Sequence, residues 1–274
     1  MKAIFSYFKS PVFVTFLSVA LLSGCATISD STTEPTQAGE PRADVTKFSE
    51  LVSQQDGYKG WYIWSVLPNK KKTSYRLQKY QGKTVLHADA SSSASGLAIP
   101  LKARDVNGLN ISWSWMALNQ ISTADISHGS NDDAPLRLML AFDGDKTKLS
   151  FKDQMALDMA QLISGHDMPY ATLMYVWGSG AKVDDVIPNA HSSRVRMIVV
   201  DSEQSPVGEW RKHSRNIAED YKKAFGENPG KLIGIGLMTD SDNTKSNVKA
   251  IYGDIELQSN KLKTSSLEPL KTPQ

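Results

Sequence analysis

The sequence predicts an all-β body, a two-sheet jelly-roll-like sandwich with one or two helical insertions. Three observations carry that expectation. About ten short segments alternate apolar and polar residues with period two, the pattern of half-buried strands. Gly, Asn, Asp and Pro separate them at short intervals. Only two stretches have helical spacing instead.

In chain order, the strand segments are GWYIWSV (60–66), TSYRLQKY (73–80), KTVLHADA (83–90), SGLAIPLK (95–102) and NISWSWMAL (110–118). After them come LRLMLAFD (136–143), ATLMYVWG (171–178), SRVRMIVVDS (193–202), KLIGIGLMT (231–239) and VKAIYGDIEL (248–257). The segment 136–143 shows the logic: Leu136, Leu138, Leu140 and Phe142 fall on one side, Arg137 and Asp143 on the other. The helical stretches are 152–164, with Met155, Met159 and Leu162 on one stripe, and 216–225, with Ile217, Tyr221 and Phe225. Gly226 follows the second as a C-terminal stop. Both read as lids or crossovers on the sandwich.

The ends of the chain have a different composition. Residues 1–24 combine Lys2 and Lys9 with the apolar run PVFVTFLSVALL, too short to span a bilayer and the right length for the core of a signal peptide. Leu22-Ser23-Gly24-Cys25 resembles the bacterial lipobox, and Cys25 is the only cysteine. The resemblance implies lipidation at Cys25, and Ala26 matches the pattern that sorts lipoproteins to the periplasmic face of the outer membrane. Residues 25–44 are rich in Ser, Thr, Pro and acids and read as a flexible tether; 259–274 read as a disordered tail, leaving 45–258 as one domain.

Charge, composition and missing motifs count against several classes. The chain has 31 basic and 29 acidic residues, and loss of 1–24 removes two lysines and no acid (31 − 2 = 29), so the remainder is formally neutral. Nothing global drives binding to nucleic acid. A single cysteine excludes internal disulfides and multi-cysteine metal sites. No Gly-x-Ser-x-Gly elbow, His-Glu-x-x-His pair, phosphate loop or strand-linked Gly-x-Gly-x-x-Gly occurs, and no two of the five histidines are spaced i, i+4.

Three constellations remain. Arg194 and Arg196 share one strand face; with Arg137 beside them they would form a surface for carboxylate or phosphate groups, and Tyr175 and Trp177, also two apart, would stack on sugar rings. Trp113 and Trp115 read as core. Thr239-Asp240-Ser241-Asp242-Asn243-Thr244 gathers oxygen donors after an apolar strand, so Asp240 and Asp242 are candidate ligands of a calcium ion, although the loop lacks EF-hand spacing and also reads as a plain strand-connecting turn. Asp132, Asp133 and Asp254 are the carboxylates available if the protein is a polysaccharide-active hydrolase or lyase.

Several motifs together carry a resemblance. Ala90-Ser91-Ser92-Ser93-Ala94-Ser95-Gly96-Leu97, Trp113-Ser114-Trp115, Asn131-Asp132-Asp133-Ala134-Pro135, Tyr175-Val176-Trp177-Gly178, Glu209-Trp210-Arg211, the run Ile235 to Thr244 and Tyr252-Gly253-Asp254-Ile255 resemble a bacterial envelope family catalogued only as a domain of unknown function. It spans roughly 58–257 and brings no catalytic residues. The late Tyr-Gly-Asp-Ile-x-Leu strand and the acidic loops are similar, more loosely, to jelly-roll carbohydrate-binding modules, which implies a structural calcium and a sheet face for ligand. The resulting expectation is a lipid-anchored, non-catalytic protein that binds an envelope glycan or other polysaccharide; a polysaccharide-active enzyme and a structural partner of another envelope protein are the alternatives.

Overall fold

The computed structural model describes residues 37–52, 58–65, 67–190 and 192–259. Twelve strands form two sheets. They are β1 (Tyr62–Trp64), β2 (Ser74–Tyr80), β3 (Lys83–Ser91), β4 (Ala94–Arg104), β5 (Leu109–Ala117), β6 (Ala134–Phe142), β7 (Ala171–Gly178), β8 (Val186–Pro188), β9 (Val195–Ser202), β10 (Arg211–Asn216), β11 (Leu232–Asp240) and β12 (Asn247–Ser259). One sheet has seven strands, ordered β1-β4-β11-β6-β7-β9-β8; the other has five, ordered β10-β5-β12-β3-β2. All pairs are antiparallel except β7–β9. The chain is an all-β, jelly-roll-like sandwich, as its periodicity predicts. The sequence reading missed β8 and β10, because VIP is too short to show a period and RKHSRN has no apolar residue to alternate.

The inner faces of the sheets meet in one core. Trp113 of β5 stacks on Tyr175 of β7 with centroids 4.8 Å apart, and Trp115 packs edge-on to Trp113 at 5.5 Å. Each such ring buries roughly 150–250 Å² of surface. Buried tyrosines satisfy their hydroxyls across the gap: Tyr75 of β2 donates to the Ser95 carbonyl of β4 at 2.7 Å, and Tyr252 of β12 to the Met238 carbonyl of β11 at 2.6 Å. These bonds fix the relative register of the two sheets.

Two helices interrupt the strands. α1 (Phe151–Ser164) is capped by Ser150, whose side chain accepts from the Asp153 amide, and ends at Gly165, with φ 74°. α2 (Ile217–Phe225) is capped by Asn216, which accepts from the amides of Ala218 and Glu219, and ends at Gly226, φ 72°. Positive φ makes glycine the natural residue at both stops. α2 buries the expected stripe: Tyr221 meets Phe142 at 4.7 Å and Phe225 at 4.5 Å. α1 does not, and its Met155, Met159 and Leu162 face outward.

The expected tether needs one correction. Arg42 forms a bridge beside Leu101, its amide donating to the Pro100 carbonyl and its carbonyl accepting from Lys102, while Arg104 holds the Ala43 carbonyl. Residues 42–44 thus belong to the body, because β4 offers backbone groups that the composition of 25–44 does not reveal. Residues 25–36, with Cys25, and the tail from 260 lie outside the described residues.

Candidate functional site

The structure separates the residues expected to read a ligand. Tyr175 and Trp177 are buried between the sheets, each with 0% exposure, so neither offers a face to a sugar. The register explains this: Tyr175 pairs with Leu138 and Ile198, all pointing inward. Arg137 pairs with Val176 and so lies on the opposite face, whereas Arg196, two residues from Ile198, shares the inner face at the sheet's end. The three arginines form no common surface.

Each arginine has a structural partner or a packed ring instead. Arg137, 4% exposed, donates through Nε to Asp240 at 3.0 Å and through Nη2 to the Asp132 carboxylate at 2.8 Å and carbonyl at 2.9 Å. Burial opposes its charge, but Asp240 and Asp132 outweigh burial and hold the guanidinium ionised. Arg194 packs 4.2 Å over the Tyr170 ring and donates to Glu227 at 2.6 Å; Arg196 is half-buried with its guanidinium 6.0 Å from the Phe225 ring. Of the candidate catalytic acids, Asp132 and Asp133 share one polar cluster with Asp240, and Asp254 stands apart from them. Asp132 is held by Arg137, Asp133 accepts from the Asn243 and Thr244 amides at 3.2 and 2.7 Å, and Asp254 belongs to the other sheet.

A recess of about 290 Å³ opens on the five-stranded sheet. Its size is at the small end of the roughly 300–1,000 Å³ typical of small-molecule sites. The hairpin β2–β3 builds one wall. Gln81 and Gly82 both have positive φ (49° and 82°), the two-residue turn that matches strand twist, so Tyr80 and Lys83 face each other across its mouth. Trp210, just before β10, packs edge-on to Tyr80 at 5.9 Å and lines the recess beside it. Ser114, Val85 and Gly253 also line it. A Cβ on Gly253 would collide with Ser114 Oγ and come within 3.4 Å of the Trp210 ring, so the depth of the recess depends on glycine.

The polar groups around these rings are varied. A bulge in β12 between Tyr252 and Ile255 re-aims Asp254, which accepts from the Ser49 amide at 2.9 Å and hydroxyl at 2.5 Å. Lys83 and Lys212 also line the recess, and neither forms an ion pair among the described residues. Thr84, 3% exposed, has a hydroxyl without a hydrogen-bond partner among the described residues. Thr84 alternates with Leu86 and Ala88, so this hydroxyl points toward the inter-sheet core and not into the recess. Of this set the sequence singles out only Asp254 as a candidate site residue. The usable signals were the Gln-Gly turn and the Trp210 that opens an unrecognised strand.

A second polar cluster joins Asp240 and Asp242, the candidate calcium ligands, to Asp133. Each offers one carboxylate oxygen, and these oxygens lie within 4.8 Å of one another. Calcium binds oxygens at 2.3–2.6 Å, so oxygens this close fit around one ion. Burial pushes Asp240 up to about 7 despite the opposing pull of Arg137; a cation would hold that carboxyl ionised. Asp242 has one other charged partner, Lys70.

Comparison with known proteins adds the following. No curated protein sequence matches the chain. Among solved structures, the family 11 carbohydrate-binding module from Clostridium thermocellum, in complex with a β-1,3-1,4-mixed-linked tetrasaccharide, is similar over 81% of this chain and 98% of that one, with 11% identity and a TM-score of 0.38. The xyloglucanase domain of NopAA, an effector from Sinorhizobium fredii in complex with cellobiose, covers 81% and 100% at 6% identity and TM-score 0.40. The CBM22-1–GH10 modules of Clostridium thermocellum xylanase 10B, complexed with xylohexaose, cover 83% and 30% at 12% and 0.36. Likeness at this level leaves the ligand to be argued from the chain's own residues. The sequence-level match is of another order, extending over residues 59–256: the chain belongs to the family described as protein of unknown function, DUF3047.

Proposed function

We propose that the protein binds a glycan bearing anionic substituents in the Tyr80–Trp210 recess, as a lipoprotein anchored through Cys25 to the periplasmic face of the outer membrane. The observation that carries the binding reading is the combination around one cavity: two aromatic rings, the hydroxyl-bearing Ser49 and Ser114, and two lysines with no carboxylate partner among the described residues. A sugar ring presents C–H groups to an aromatic and hydroxyls to polar neighbours; Lys83 and Lys212 supply point charges for a uronate, sulfate or phosphate on it. The Cys25 reading rests on Leu22-Ser23-Gly24-Cys25.

Asp254 is the only carboxylate among the residues lining the recess, whereas hydrolysis uses two. This supports binding over hydrolysis. A calcium ion at Asp133, Asp240 and Asp242 would fasten the β11–β12 loop to the start of β6 and has no part in the recess. Affinity electrophoresis against acidic and neutral polysaccharides tests the binding reading. Retardation by an acidic polymer, lost in Trp210→Ala and in Lys83→Ala/Lys212→Ala, is expected. No retardation by any polymer, or reducing ends released from them, would overturn it.

A further inference from the structure

We propose that the outward stripe of α1 lies in the headgroup layer of a phospholipid bilayer and so fixes how the sandwich sits on its membrane. Phe151, Met155, Met159, Leu162 and Ile163 are between 48 and 79% exposed, while the other exposed large apolar side chains, Val52, Val183 and Val207, stand singly. At about 100° per residue the five occupy one arc of roughly 120° along a helix about 21 Å long. An apolar stripe of this size on a soluble body marks a contact surface. No helix among the described residues is long and apolar enough to cross a membrane. The geometry is that of a helix lying in the interface plane.

The choice of a bilayer over another occupant rests on where the chain enters the body. Leu232, at the start of β11, pairs with Arg104 at the end of β4 and with Phe142 at the end of β6, so these ends adjoin. α1 follows Phe142 and leads into Ala171, which pairs with it, so the helix stands at that end of the sheet. Arg42 joins the body there too, beside Leu101. From Cys25 to Arg42 are 17 residues (42 − 25), a reach of about 23 Å for the coil their composition predicts, close to the length of the helix. Lys152, exposed within the stripe, is placed to extend its ammonium to lipid phosphates.

The inference rests on the anchor reading for its orientation, and the experiment separates the two. Met159→Cys and Leu162→Cys on the stripe, and Gln161→Cys on the exposed flank, each receive an environment-sensitive fluorophore. The acylated chain is placed on vesicles of phosphatidylethanolamine and phosphatidylglycerol with brominated acyl chains. At least two-fold quenching at 159 and 162, with little at 161, is expected, together with loss of quenching at 162 when Met155→Asp/Met159→Asp is introduced. Equal, weak quenching at all three positions overturns the proposal. So does burial of the stripe labels that grows with protein concentration in the absence of vesicles, which would assign the stripe to a second copy. The intact mass of the mature protein tests the anchor by itself. If Cys25 carries no lipid, the same labels on the unacylated chain with Cys25→Ser, at saturating vesicle concentration, decide the stripe: quenching at 159 and 162 supports it, none overturns it.

Discussion

Replacing Arg137 by Met separates a structural ion knot from a ligand reader. The guanidinium is almost fully buried and is the charged partner of both Asp132 and Asp240. Methionine fills much of the same volume against Met197 and Val176, so packing changes little. What remains is two carboxylates without their cation. Breaking a buried pair from one side costs about 3–5 kcal/mol. For a domain of this size about 2–4 °C of melting temperature accompanies each kcal/mol, so a fall of about 6–20 °C is expected. Urea unfolding followed by tryptophan fluorescence measures it. Arg137→Met/Asp240→Asn should recover part of the loss, since it also removes one stranded charge. Glycan binding by the folded variant should be unchanged, because the recess lies on the other sheet. A loss below about 1 kcal/mol, or a folded Arg137→Met that no longer binds, would refute the reasoning and return Arg137 to the ligand.

Three further outcomes follow from particular contacts. Gly253→Ala brings a Cβ onto Ser114 Oγ, so binding should weaken at least ten-fold with a stability loss of about 1–3 kcal/mol, and Ser114→Ala in the same chain should restore the stability. Asp201 is fully buried, and although burial alone would raise its carboxyl, bonds from His213, Trp115 and Arg211 hold it below the ordinary value. A lowered folded-state value stabilises above the unfolded value of about 4 and is lost as pH falls through the folded one; Asp201→Asn should therefore be less stable than the native chain at pH 7, with the gap closing below about pH 4. Finally, calcium at about 100 times its dissociation constant should raise the melting temperature by about 5–10 °C over a chelated sample, and Asp133→Asn/Asp242→Asn should abolish the difference. An unchanged melting curve would make the cluster a loop fastening only.

Strand positions were legible because period-two burial is a local signal: the segment 136–143 declares its inner residues outright. Which strands become neighbours is not local, and this is where the expected site failed. Arg137 and Arg196 each alternate properly within their own strands, but the β6–β7–β9 register sends them to opposite faces. Tyr175 and Trp177 could have lain on either face of an isolated strand; the stack of Tyr175 on Trp113 exists only once the second sheet is in place. The recess escaped for the same reason. Tyr80, Ser114, Trp210 and Gly253 come from four different segments, and the one wall that local chemistry announces is the Gln81-Gly82 turn. Asp240 and Asp242 stand together by their short spacing, whereas Asp133 joins them only through the β6–β11 pairing.

The recess is tested most directly by calorimetric titration of an acidic oligosaccharide into the native chain, Trp210→Ala, Lys83→Ala/Lys212→Ala and Arg194→Ala/Arg196→Ala. Binding by the native chain and the arginine variant, with at least ten-fold weaker binding in the other two, is the predicted result. Binding that survives Trp210→Ala and the lysine change but vanishes with the arginines would contradict it.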